Sequence, residues 1–215
     1  DLTSGDVRRA ELFLKDDFMD VRLVPFIVPL LAIDDVAETA RTELRWLAPR
    51  AIGALTDALL DPDVPIRARQ RVPSVLEISL NARAAHALTL GLRDSEFSVR
   101  YSCARALFRM AGRDPQLPID RDAVFEACAI EVRVPQSVWR RRGLEIDSDG
   151  GGVYPEFGDE SSEINYSMEH VFTLLGLVLE RDALRLSFRA VFSTDRAMRG
   201  TALEYLENVL PDEIR

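Results

Sequence analysis

The sequence predicts an all-α protein, a stacked array of about five helical pairs with an acidic loop inserted in the fourth pair. Three observations carry that expectation. Apolar residues recur at helical spacing nearly everywhere, and runs of alternating β-branched residues are lacking. Asp/Pro/Gly clusters punctuate the apolar segments at Ile33-Asp34-Asp35, Asp61-Pro62-Asp63, Arg93-Asp94-Ser95 and Gly112-Arg113-Asp114-Pro115. Finally, one helix–turn–helix pattern returns along the chain.

Each cluster supplies a helix stop and an N-cap candidate for the next helix. On that punctuation the predicted helices cover 6–16, 23–32, 35–48, 50–60, 65–78, 81–92, 97–111, 121–141, 167–179, 182–192 and 196–209. Pro49 separates the third from the fourth, and Pro73 interrupts the fifth. The longest apolar run, Leu23 to Ile33, has 11 residues and two prolines. A membrane span needs about 20 residues, so no membrane insertion is predicted. The N-terminal Asp1-Leu2-Thr3-Ser4-Gly5 lacks the features of a signal peptide. The missing initiator Met predicts a segment of a longer protein or a processed terminus.

The repetition is specific. Leu59, Asp61, Asp63, Ile66 and Arg67 align with Leu92, Asp94, Glu96, Val99 and Arg100 at an offset of 33. Val99 to Leu107 recurs as Met198 to Leu206, and a looser copy runs from Val36 to Leu44. Each unit is an apolar helix, a short acidic turn and a second helix opening on an apolar-Arg pair. Such a pair cannot bury its apolar face alone, so neighbours stack.

The acidic turn, the apolar-Arg pair and the small residues behind it resemble HEAT repeats, an armadillo-like class of right-handed α-solenoid. The resemblance covers residues 21–112 and 167–210, and extends to uncharacterised bacterial HEAT-repeat proteins through Arg71 to Leu76, Phe97 to Met110, Glu169 to Leu179 and Arg199 to Pro211. It implies one domain over 1–215, with second helices lining a concave surface. Residues 113–166 depart from the repeat.

Charge is unevenly placed. The chain has 36 acids, 27 bases and a net charge of −9. Eight of the acids lie in 143–170, which has no Lys or Arg, and five of the 11 glycines lie in 143–166. That composition predicts a mobile connection. Its alternative is an anchor through Val153, Tyr154, Phe157, Ile164 and Tyr166, with its acids facing Arg45, Arg105 and Arg109. An acidic chain is a poor general ligand for nucleic acid, so nucleic acid is not an expected partner.

The repeat arginines read as structural. Arg67, Arg100 and Arg199 each follow an acid by four residues, and Arg100 falls within the predicted buried arc of Val99, Cys103, Ala104, Ala106, Leu107 and Met110. A buried guanidinium needs partners, which the turn acids would supply. The opposite arc carries Tyr101, Arg105, Phe108 and Arg109, and its counterpart on the earlier helix carries Glu38, Thr42, Arg45 and Trp46. Tyr, Trp and Arg dominate binding hot spots because they bury large areas while keeping polar handles. Arg45, Trp46, Tyr101, Arg105, Phe108 and Arg109 are therefore the candidate partner-binding residues.

Catalytic patterns are thin. Asp147-Ser148-Asp149-Gly150 begins like a calcium loop, but Gly158 stands where the bidentate Glu belongs. His86 reads as a packed, hydrogen-bonded residue, and Cys103 and Cys128 as small core residues of a reducing compartment. No catalytic residue, metal ligand or cofactor is predicted. The expectation is a non-catalytic, cytoplasmic interaction or scaffolding module that binds a protein partner or a neighbouring domain of its own chain. The alternative is a HEAT-like enzyme resembling alkylated-DNA glycosylases or bilin lyases.

Overall fold

The computed structural model describes residues 20–135, 166–191, 193–212 and 214. These residues form helices and turns, with no strand among them. They fall into two compact units, Asp1–Pro118 and Ile119–Arg215.

Unit 1 opens on a 3-10 turn, Val21–Leu23, a short helix α1 (Val24–Ile27) and a second 3-10 turn, Val28–Ala32. Continuous α-helix was predicted over 23–32. Pro25 and Pro29 each withhold a backbone donor there, and the chain winds in short tight turns instead. Helix α2 (Asp34–Leu60) is one 27-residue helix with Pro49 inside it, where two helices were predicted. Pro49 removes only the hydrogen bond that the Arg45 carbonyl would accept. Buried Leu44, Leu47, Ala48, Ala51, Ile52 and Leu55 carry the packed face across it. Pro73 does break its helix: α3 (Ile66–Arg71) and α4 (Pro73–Leu76) replace the predicted 65–78. Helices α5 (Ala82–Gly91) and α6 (Phe97–Arg113) follow as predicted. Helix α2 packs on the Val28–Ala32 turn, α4 and α5, and α6 packs on α3, α4 and α5.

The acidic clusters brace turns more often than they cap helices. Asp61 accepts from the Asp63 N–H, Asp94 from Glu96 at 2.8 Å and Asp114 from Gln116 at 3.0 Å. The repeat arginine sits one step deeper than the sequence alignment put it. Counting from each helix start, the fourth residue is Arg69 in α3 and Arg100 in α6. The offset is 33 between Asp61 and Asp94 but 31 between Arg69 and Arg100, because the first turn holds two extra residues, Val64 and Pro65. Arg69 donates through Nε to the Val64 carbonyl at 3.2 Å and pairs with Asp94, both side chains buried. Arg100 donates to the carbonyls of Asp94 and Ser95, each at 2.8 Å. Arg67 instead reaches Asp34 at 3.0 Å on the surface. Among the described residues the ladder includes these backbone carbonyls and the Arg69–Asp94 pair, with Arg69 where Arg67 was expected.

Unit 2 comprises α7 (Arg121–Val132), α8 (Tyr166–Leu175), α9 (Arg181–Val191) and α10 (Arg196–Val209). The predicted helix 121–141 ends at Val132, and its remainder beyond residue 135 lies outside the described residues. Asp120 caps α7 by accepting from Ala123, and Asp195 caps α10 by accepting from Ala197 at 2.8 Å. Arg199, fourth in α10, donates to the Ser193 carbonyl at 2.8 Å, as its counterparts do in unit 1. Helix α8 packs against α7 and α9, and α9 against α10. Phe172 meets Phe188 edge-on at 5.0 Å. The predicted helix 6–16 and the acidic segment 143–165 lie outside the described residues.

Candidate interaction surface

Helix α2 positions the widely exposed Trp46 of unit 1. At 100° per residue, Asp34, Glu38, Arg41 and Arg45 fall on one narrow stripe, acidic in the first two turns and basic about two and three turns from the helix start. The acids complement the helix dipole. Asp34 receives Arg67 and also the buried Arg71 at 2.8 Å, while Arg71 donates its other amine to the Leu31 carbonyl. Arg41 is only 6% exposed and donates to Glu38 at 2.8 Å. Burial pulls its pKa below the usual guanidinium value, against the Glu38 carboxylate, and the like charges of Arg45 and Arg71 pull the same way. The Nε atoms of Arg41 and Arg45 are both covered by protein, with no acceptor among the described residues. Trp46, 77% exposed, stands beside Arg45.

The predicted arc on α6 is only partly open. Tyr101 is 2% and Phe108 3% exposed, so neither presents the accessible aromatic surface expected of it. The expectation treated α6 as packed on one side, whereas α3, α4 and α5 cover more of its circumference. Arg105 is half-buried, its guanidinium 5.6 Å from the Tyr101 ring centre. Arg109 is tied to Glu77 through two donors at 2.9 and 2.6 Å, and Arg113 reaches the Glu77 carbonyl at 2.7 Å. Of the six candidates, Trp46 keeps the open character predicted for it, while Arg45, Arg105 and Arg109 are half-buried. Arg41 and Arg71 escaped the sequence reading because an Arg on a packed face resembles any ladder residue until its neighbours are known.

Unit 2 buries a small group of titratable residues. Glu131 and His170 face each other at 3.8 Å, both buried, with buried Glu169, Ser167 and Thr173 on the same helix as His170. Burial, reinforced by Glu131, pushes the Cys128 thiol up to about 12. Burial likewise raises the Cys103 thiol, with the Asp94 charge adding to it. Both cysteines are core residues, as predicted. His86 is exposed on α5, contrary to the packed position expected of it. Among the described residues no group of three His, Cys, Asp or Glu could hold a metal ion, and no helix is long and apolar enough to cross a membrane. The calcium-like stretch at 147–158 lies outside the described residues.

No family of known proteins, no curated protein and no solved structure matches this chain.

Proposed function

We propose that this chain is a non-catalytic interaction module of the cytoplasm, a stack of HEAT-like helical pairs that scaffolds a protein partner along the α2 face. One observation carries the reading: Trp46 is 77% exposed beside Arg45, for whose Nε the described residues provide no acceptor. A large aromatic held out in water costs hydrophobic free energy that a partner would recover. The bracing of each turn by its own helix's arginine supports a repeated pair as the building unit.

A photo-crosslinking amino acid at position 46 tests the reading in cells of the source organism, with position 83 as the control. Arg83 is exposed on α5, a different helix. A discrete protein adduct is expected at 46, lost with Arg45→Glu and absent at 83. Equal labelling at both positions would refute the assignment. In a gel shift at low salt, duplex DNA is expected to form no complex; a tight complex would favour the glycosylase-like alternative.

A further inference from the structure

Helix α10 leaves open a face that its counterpart in unit 1 keeps covered. Counting from the first residue of each helix, Arg196, Gly200, Leu203, Glu204 and Glu207 of α10 stand where Phe97, Tyr101, Ala104, Arg105 and Phe108 stand in α6. Four of these α6 residues are buried and Arg105 is half-buried, with α3, α4 and α5 packed around the helix. All five α10 residues are exposed, Leu203 at 53%, and they share an arc of about 100°. Gly200 stands out among them. Glycine is the poorest helix former after proline, yet it lies here in the interior of an exposed helix. A Cβ on Gly91 would strike Cys103 Sγ, whereas one on Gly200 would meet nothing within 4 Å among the described residues. A bare glycine on an open face lets another backbone come close.

The charges on this face are divided along the helix. Arg196 lies at its start and Glu204 and Glu207 lie in its second half, and none of the three forms an ion pair within the chain. The midpoint between Arg196 and Glu207 falls between Thr201 and Ala202, and so does the midpoint between Gly200 and Leu203. A two-fold axis through that point lays the helix antiparallel on a copy of itself. Arg196 then comes level with the partner's Glu207, and Leu203 with the partner's Gly200. We propose that α10 is the surface through which two copies of this chain associate. Leu203 seats over the partner's Gly200, and Arg196 lies between the partner's Glu204 and Glu207, each contact being made twice. Arg199 stays folded onto the Ser193 carbonyl and takes no part. A single helix pair buries less than the roughly 1,200 Å² of a standard interface, so the dimer depends on concentration. The proposal does not draw on the role assigned to α2.

Sedimentation equilibrium of the whole chain tests the pairing. Wild type is expected to pass from monomer to dimer between micromolar concentrations and about 1 mM. Arg196→Glu and Glu207→Arg each set like charges against one another at two places, and each should raise the dissociation constant about tenfold. Mixed in equal amounts, the two variants should form a heterodimer tighter than either homodimer, because both of its pairs then join opposite charges. Gly200→Gln should abolish the dimer while melting no lower than wild type, since the new side chain enters open space in the monomer. That combination separates a contact between copies from a folding defect. A dimer indifferent to these variants, or a mixture no tighter than its components, overturns the proposal. So does a chain that stays monomeric to about 1 mM, which would leave the face to a different protein.

Discussion

Single arginines in this chain do different work according to where their helix begins. Arg69, Arg100 and Arg199 each fold back over the first turn of their helix onto a carbonyl five or six residues behind. Arg100 is buried and its partners are two part-buried carbonyls, so Arg100→Met, which strips them of their donor, should destabilise by about 1–3 kcal/mol. Arg67→Met removes an ion pair more than half exposed on both sides, and the melt should shift by no more than about 0.5 kcal/mol. Comparing the two denaturation curves checks the register directly. If Arg67→Met proved the costlier change, the alignment at an offset of 33 would be right after all. The residue types and their turn were legible in the sequence. The two-residue extension at Val64 and Pro65 was not, because an alignment anchored on the aspartates has no means of placing extra residues after them.

At the scale of elements, legibility followed the strength of local signals. Helix α10 runs over 196–209, as predicted, because Asp195 supplies an unambiguous cap. The breaks at Pro49 and Pro73 looked alike in sequence, yet only Pro73 ends a helix. Packing decides the difference: the apolar face continues through Ala48, Ala51, Ile52 and Leu55 past Pro49, and tertiary contact outweighs one lost hydrogen bond. Helices α5 and α6 approach closely at Gly91, where an added Cβ would lie 2.5 Å from Cys103 Sγ and 3.2 Å from Leu59 Cδ2. Gly91→Ala should therefore cost about 1–3 kcal/mol by overpacking, although alanine is the better helix former. A chemical denaturation midpoint lower than wild type would bear this out; an unchanged or raised midpoint would not. Helix α9 is capped by Glu180, whose carboxylate accepts from the Asp182 and Ala183 N–H groups at 3.0 and 2.6 Å. Those bonds hold its pKa below the ordinary 4.5. The stabilisation is fully present above that ordinary value and is lost as pH falls through the lowered one. The melting difference between wild type and Glu180→Gln should thus be constant near neutrality and close in acid.

At the scale of the whole molecule, the all-helical class was legible because helical periodicity persists over most of the chain. The division into two units was not, since the repeat pattern reads on from one to the other and cannot report where packing contacts thin out. Unit 1 holds an apolar core of its own, in which Ile27, Leu31, Leu44, Leu55, Leu59, Leu76, Leu88, Leu107 and Met110 are all fully buried. Residues 1–118 expressed alone should therefore melt cooperatively and leave a hydrophobic dye unbound. A broad transition with strong dye binding would instead mark a partly ordered state. The candidate surface was half legible for a related reason. Sequence could name Trp46, because it stands out in solvent, and Arg45, which is half-buried. It could not foresee that Tyr101 and Phe108 are covered, because that depends on how many elements surround α6.

The continuity of α2 also bears on how this chain can change length. Its 27 residues make a rod of about 40 Å, and one inserted residue would turn everything beyond it by about 100°. An insertion near Pro49 would swing Ala51, Ile52, Leu55 and Leu59 off the core while leaving Arg41 and Arg45 in place. Single-residue insertions and deletions inside α2 should be purged, whereas the turn between Asp61 and Ile66 already carries two residues more than its counterpart between Asp94 and Phe97. Length variation among descendants of this sequence is thereby confined to its turns, and the spacing between the α2 stripe and the core behind it is inherited as a fixed quantity.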